Sequence, residues 1–122
     1  MLINGREIRF LRTISANCKV ADMCPERDAS KIGALFSGGY QDQQKTCAEF
    51  IAALSDGYEQ NMKFKDQGYK PNPITAEEAL SLEEADFSAL FEEAFKVWRG
   101  EKPTIETEPV KGKKKAKVTA LN

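Results

Sequence analysis

The chain contains no histidine among its 122 residues. Histidine is the side chain that most readily gains and loses a proton near neutral pH, so the usual general base is missing. The serine–histidine and cysteine–histidine arrangements of nucleophilic catalysis are excluded with it. Chemistry by paired carboxylates or by a lysine stays possible in principle.

Three acidic pairs are the remaining candidates for such chemistry. Adjacent residues on a helix point about 100° apart, so the two carboxylates of a pair do not converge on one substrate. Negative charge is also favourable in the first turn of a helix, where several of these residues are expected to lie. We therefore expect no catalytic residues, no cofactor and a protein that is not an enzyme. The pairs are Glu77–Glu78, Glu83–Glu84 and Glu92–Glu93.

Cysteine is scarce and irregularly spaced. Cys18, Cys24 and Cys47 are an odd number, and no C-x-x-C pair occurs. This set predicts no disulfide framework in a chain without an export signal. A zinc site would need all three thiolates plus a carboxylate at unusual spacing. We expect the cysteines to be small buried apolar residues, and we expect no bound metal.

Long apolar runs are missing as well. No stretch approaches the roughly 20 residues that span a bilayer. The first residues do not form the continuous apolar stretch of a signal peptide, because charge enters at Arg6 and recurs every few residues. The sequence therefore predicts a cytosolic protein with no membrane partner.

The N-terminus carries a clear hairpin signal. Asn4-Gly5 is a favoured loop of a type I′ turn, which needs a positive φ at both positions. In this register Ile3 pairs with Arg6. An isolated hairpin is marginally stable in water, so its apolar face must pack against the helices that follow. The residues on that face are Met1, Ile3, Ile8 and Phe10.

A first helix is predicted directly after the hairpin. Thr13 or Ser15 can cap it, and it runs to about Cys24 because Pro25 ends it. Its predicted apolar face consists of Ile14, Cys18, Ala21 and Cys24, with Val20 and Met23 beside them.

A short helix and a long helix follow. Asp28 is a good N-cap for the short one, and Gly38-Gly39 ends it. Apolar residues recur at helical spacing over about 41–64 and predict a single buried stripe. Gly57 lies within the predicted long helix and lowers its helix propensity by about 1 kcal/mol, which weakens the prediction at that point. The short helix carries Ile32, Leu35 and Phe36, and the long stripe consists of Cys47, Phe50, Ile51, Leu54, Tyr58 and Met62.

Two capping boxes predict the last helices. In Thr75-Ala-Glu-Glu78 the hydroxyl accepts from an orphan amide and the glutamate reaches back to the cap. Ser81-Leu-Glu-Glu84 repeats this pattern, so a short helix at 76–80 is expected to lead into a longer one that Gly100 ends. The apolar stripe of that helix consists of Phe87, Leu90, Phe91, Ala94, Phe95 and Trp98.

The stripe on the last helix is wider than a single core seam. Such an arc either fills the core of a small domain or marks a partner-binding or self-association face. Both interpretations stay open at this point. The candidate partner-binding residues are Phe87, Phe91, Phe95 and Trp98.

Composition changes after Gly100. Residues 101–122 carry six lysines and three glutamates, a net charge of +3, whereas residues 1–100 carry 12 basic and 16 acidic residues, a net charge of −4. The last segment has too few large apolar residues to form a core. The sequence thus predicts an α+β fold that is mainly α with a small N-terminal β-hairpin. Residues 1–100 form a compact domain of four to five helices, and 101–122 form a disordered lysine-rich tail.

The order of elements resembles the tail assembly chaperones of long-tailed bacteriophages and prophages, of both the siphovirus and the myovirus type. The opening Leu2-Ile-Asn-Gly-Arg-Glu-Ile-Arg-Phe10 is similar to the I-N-G-K-E-Y strand pair of that family. Thr75-Ala-Glu-Glu78 is similar to its L-T-x-E-E helix start, with Ile74 where leucine is common. The cysteine-rich first helix is a second departure. The resemblance extends from Leu2 to about Trp98.

This resemblance implies a non-enzymatic function. Proteins of the family bind the long hydrophobic tape-measure protein, keep it soluble and help the major tail-tube protein polymerise around it. They work in the host bacterial cytoplasm and leave before the virion is complete. The family has no active site, so no catalytic residue is carried over to this chain.

A regulatory or nucleic-acid-binding adaptor protein that uses the basic tail is the alternative. Aromatic residues do not interleave with the lysines, so no platform for stacking bases is present. The net charge of −4 on residues 1–100 is also a poor electrostatic footprint for DNA. We therefore expect nucleic acid not to be the partner.

Overall fold

A computed structural model of the protein describes residues 1–101. An antiparallel hairpin precedes a set of helices, as the sequence predicts, so the fold is mainly α with a small N-terminal hairpin. Its elements are β1 (Leu2–Ile3), β2 (Arg6–Glu7), α1 (Ile14–Met23), a 3₁₀ turn (Pro25–Arg27), a 3₁₀ segment (Ala29–Phe36), α2 (Tyr40–Lys65), α3 (Ala76–Leu80) and α4 (Glu84–Trp98). The tail prediction lies outside the described residues, apart from Glu101.

The hairpin forms in the predicted register. Asn4 and Gly5 have φ values of 53° and 82°, as the type I′ turn requires. Ile3 pairs with Arg6, and the Ile8 amide donates to the Met1 carbonyl at 2.9 Å. The predicted apolar face is covered by the helices, with Ile3, Ile8 and Phe10 buried and Met1 packed beside them.

Helix α1 begins where the sequence predicts but buries a different face. Thr13 caps it by accepting from the Ala16 amide at 3.1 Å. The expected apolar face is wrong at Ile14, which is 77% exposed, and at Cys18, which is exposed too. Val20 and Cys24 are buried as expected, and Ala16 is buried in addition.

The close approach of α1 to α2 explains this choice of face. A Cβ placed on Gly57 of α2 would lie 3.3 Å from the Ala16 Cβ and 2.5 Å from the Leu11 carbonyl oxygen. Small residues are needed at such a contact, and neither Ile14 nor Cys18 is as small as alanine. Gly57, which the sequence marks as a weak point of the long helix, is thus the position that lets the N-terminal segment reach α2.

The short helix after Pro25 is 3₁₀ rather than α-helical. Asp28 caps it as predicted and accepts from the Ser30 amide at 3.0 Å. The helix is kinked at Lys31, whose φ and ψ of −98° and 23° lie outside the helical range. None of its residues is fully buried, so little packing energy opposes the tighter 3₁₀ geometry.

Helix α2 is the central element. Phe50, Ile51 and Leu54 are fully buried in the middle of it and form the core with residues of α1, α3, α4 and the hairpin. The helix spans 26 residues, close to the predicted 41–64. Its predicted stripe is correct in the centre, whereas Cys47, Tyr58 and Met62 are only partly buried.

The loop between α2 and α3 is held to α2 by two buried polar side chains. Ser55 accepts from the Ile74 amide at 3.0 Å. Glu59 accepts from the Tyr69 hydroxyl at 2.7 Å and from the Asn72 amide at 3.0 Å. These bonds satisfy groups that burial would otherwise make costly. Glu59 is therefore a structural acid.

The first predicted capping box is confirmed and the second is wrong. Thr75 and Glu78 bond reciprocally to each other's amides, each at 3.0 Å. Helix α4, in contrast, begins at Glu84, and its cap residue Glu83 makes no side-chain capping bond within the described residues. Ser81 is occupied as the C-cap of α3, where its amide bonds back to the Glu78 carbonyl, so it cannot also start α4. Among the described residues, no helix is long and apolar enough to cross a membrane.

Candidate functional site

Five aromatic rings form one cluster between α2, α4 and the 3₁₀ segment. Phe91 and Phe95 of α4 are stacked at 5.7 Å between centroids, and Phe36 meets them edge-on at 5.5 and 6.1 Å. Phe50 lies within 5.8 Å of Phe91, Phe95 and Trp98. Each such pair contributes about 0.5–1.5 kcal/mol beyond simple burial. The cluster joins α4 and the 3₁₀ segment to the core.

The four predicted partner-binding residues separate into two groups. Phe87 and Trp98 are buried and belong to the core, so neither offers an exposed face of its own. Phe91 and Phe95 are only partly buried and pack at the edge of the core. The wide apolar arc of α4 is therefore explained partly by core packing, and this second pair is what a partner could reach.

Trp98 is further enclosed by the segment after the hairpin. The Arg12 guanidinium lies 3.7 Å from the centroid of its ring and donates to its carbonyl at 2.6 Å. This arrangement combines a cation–π contact with a cap on the end of α4. Arg12 thus ties the N-terminal segment to the last helix.

A groove of about 200 Å³ runs beside the exposed edges of Phe91 and Phe95. The Arg99 guanidinium lies 4.9 Å from the centre of the Phe95 ring, at the C-terminal end of α4. Charges of both signs border the apolar floor. This site, the α4 groove, can accept an apolar side chain and pair with polar groups beside it. Its lining residues are Phe91, Glu92, Phe95, Lys96 and Arg99.

A second groove of about 220 Å³ lies where α2 begins and α3 meets α4. Tyr40 and Leu80 line it and are 69% and 47% exposed. Leu82 and Phe87 line it from the core side, and Glu84 borders it. We call this surface the Tyr40 groove. The sequence gives no signal for it, because its two exposed apolar residues lie 40 positions apart in the chain.

A third groove, of about 400 Å³, lies between α1, α2 and the residues before α3. Its floor consists of small and branched apolar side chains such as Ala52, Ala53 and Ile74. Lys19 of α1 pairs with Asp56 of α2 at its edge. The two charges are thus used to connect α1 and α2.

The cysteines do not share one environment. Cys24 is buried and Cys47 is partly buried, and burial raises the pKa of both thiols above the ordinary value. Cys18 is exposed, so the expectation that all three are buried is wrong for this residue. Cys18 is exposed because α1 turns a different face towards the core than the sequence predicts. All three are free thiols, and no group of three or more potential metal ligands occurs among residues 1–101.

No family model matches the chain, and neither a curated protein nor a solved structure does. The functional argument therefore depends on the residues of this chain and their arrangement. Within residues 1–101 the arrangement offers apolar grooves on helices. Such surfaces bind other apolar surfaces, and helices in particular.

Proposed function

We propose that this protein is a non-enzymatic tail assembly chaperone of a long-tailed phage or prophage, which binds the tape-measure protein. The observation that carries the proposal is the stacked Phe91–Phe95 pair, which is partly exposed beside the α4 groove. The resemblance of the hairpin opening and of the Thr75 capping box to that family supports it. Both of these motifs fold as hairpin and helix start here.

The physical task of such a chaperone is to cover apolar helix faces of a long client until the tail tube encloses it. A groove with an aromatic floor binds apolar side chains without requiring one sequence, because aromatic rings supply large contact area at low entropic cost. The charged side chains beside the floor, such as Lys96 and Arg99, keep the free groove hydrated. We propose the same host bacterial cytoplasm and the same release before completion of the virion that the family implies, with the major tail-tube protein as a second partner.

Co-expression with the tape-measure protein of the same phage or prophage tests the proposal. We expect the client to be soluble with the wild-type protein and insoluble without it. Replacing Phe91 and Phe95 with serine should weaken binding by about 1–3 kcal/mol per side chain, as for interface anchors. Client solubility should then fall.

Phe64→Ser is the matched control, because Phe64 is 86% exposed at the far end of α2 and is distant in sequence from the α4 groove. It should leave client solubility unchanged. The fluorescence of Trp98, the single tryptophan, reports whether each variant keeps its core. Equal client solubility with and without the wild-type protein would refute the chaperone function.

A further inference from the structure

Two large apolar side chains are exposed in the Tyr40 groove. Tyr40 is 69% exposed and Leu80 is 47% exposed, and both line the same groove of about 220 Å³. Scattered apolar side chains are ordinary on a protein surface, but two large ones beside one concavity form a patch. Phe87 lines the groove from the core, so an incoming side chain would contact packed aromatic surface.

The charged residue that lines this groove, Glu84, is acidic. Residues 76–98, which span α3 and α4, hold seven acidic residues and a single lysine, with Glu78 paired to Arg6 and Glu93 to Lys96. Glu84 lines the groove, and Asp42 lies in the first turn of α2 beside Tyr40. The N-terminus of each helix offsets only about half a charge. The border therefore keeps a net negative potential, which attracts a basic partner and repels nucleic acid.

We propose that the Tyr40 groove binds a partner helix that inserts a large apolar side chain and carries lysine or arginine one turn away from it. If the proposed function is right, this helix belongs to the tape-measure protein, and the groove is a second contact beside the α4 groove. A second copy of this chain is disfavoured as the occupant, because it would bring two acidic borders together. A partner strand is a poor occupant too. A strand binds by pairing with the edge of a sheet, and each strand of the hairpin offers only two residues for such pairing.

Two synthetic peptides of about 18 residues, roughly five helical turns, test the proposal without an identified client. Both carry leucine along one face, and the opposite face carries lysine in one peptide and glutamate in the other. We expect fluorescence anisotropy to show binding of the leucine–lysine peptide to the full chain. The leucine–glutamate peptide should bind at least about tenfold more weakly.

Variants locate the binding. Tyr40→Ser and Glu84→Lys should each weaken the leucine–lysine peptide about tenfold. Phe64→Ser and Asp22→Lys are the matched controls, since they remove an exposed aromatic residue or reverse a charge elsewhere on the surface, and they should leave its affinity unchanged. Equal affinity for both peptides, or equal losses in the control variants, would overturn the proposal.

The outcome is separable from that of the proposed function. If the leucine–lysine peptide binds through Tyr40 and Glu84 while the tape-measure protein stays insoluble in co-expression, the groove is supported and the chaperone function fails. If the tape-measure protein is solubilised but neither peptide binds at Tyr40, the chaperone function stands and the groove proposal falls.

Discussion

Gly57 and Leu11 meet so closely that no side chain fits between them. A Cβ on Gly57 would lie 2.5 Å from the Leu11 carbonyl oxygen, well inside van der Waals contact. The Leu11 amide also donates to the carbonyl of Leu54, one turn earlier on α2, at 3.1 Å. The chain after the hairpin is thus attached to the middle of the central helix by its backbone.

Gly57→Ala is therefore expected to destabilise the protein. Alanine gains about 1 kcal/mol of helix propensity over glycine. The clash with a backbone atom that cannot rotate away costs about 1–3 kcal/mol, as overpacking does, so the net loss is up to about 2 kcal/mol. Urea unfolding measures the difference. Gly33→Ala is the control, because its Cβ would meet nothing within 4 Å, and a variant at Gly57 as stable as the control would contradict the close contact.

Ile8→Asp should unfold the hairpin from the helices. Ile8 is buried in the core, so an aspartate there leaves an unpaired charge and costs several kcal/mol, about 3–5. Leu2→Asp places the same charge on the other face of the hairpin, where the native side chain is 54% exposed. Because Leu2 pairs with Glu7 across the hairpin, the like charges should cost about 0.2–1 kcal/mol, much less than a buried charge. Comparison of their thermal midpoints checks which face is covered.

Thr75→Ala and Ser81→Ala separate the real capping box from the apparent one. Thr75 caps α3, and its loss should cost about 1 kcal/mol. The Ser81 hydroxyl donates to the carbonyl of Glu77 at an exposed site, so its loss should cost less than about 0.5 kcal/mol. Chemical denaturation of both variants tests this order. Equal losses would mean that Ser81 also starts α4.

Tyr69 should titrate late. Its hydrogen bond to Glu59 is the main cause that raises its pKa from 10.0 to about 12. Because the folded pKa lies above the unfolded one, the bond stabilises the protein fully below pH 10 and this contribution disappears as the pH rises towards 12. Ultraviolet absorbance of tyrosinate should show the late step in the wild type. Glu59→Gln should move that step towards the ordinary value, and an unchanged step would exclude Glu59 as its cause.

Local signals in the sequence predict the hairpin and most helix ends correctly. Asn4-Gly5 and the Thr75–Glu78 pair depend on interactions between residues only a few positions apart. The local sequence therefore contains all that determines these two features. The face of α1 is different, because tertiary contact with Gly57 decides it. Sequence periodicity places Ile14 on the buried face because Ile14 is hydrophobic. It contains no information about the contact with Gly57, where the small side chain of Ala16 packs.

The candidate site shows the same division. The aromatic stripe of α4 predicts that its rings are buried in the core or in an interface. It does not predict which of the rings pack in the core and which lie at its edge. Phe50 and Phe36 decide that Phe91 and Phe95 lie at the edge. The Tyr40 groove brings together residues of α2, α3 and α4, and no pattern along the chain predicts that they meet.

The contacts of the first twelve residues determine when the growing chain can complete its fold during synthesis. Arg6 donates to the carbonyl of Asn72, made 66 positions later, and Arg12 donates to that of Trp98, made 86 positions later. The hairpin therefore emerges from the ribosome well before the surfaces that cover it. Loop closure over such separations is slow, and the uncovered apolar face is exposed to misassembly meanwhile. Translation must pass Trp98 before this domain can close.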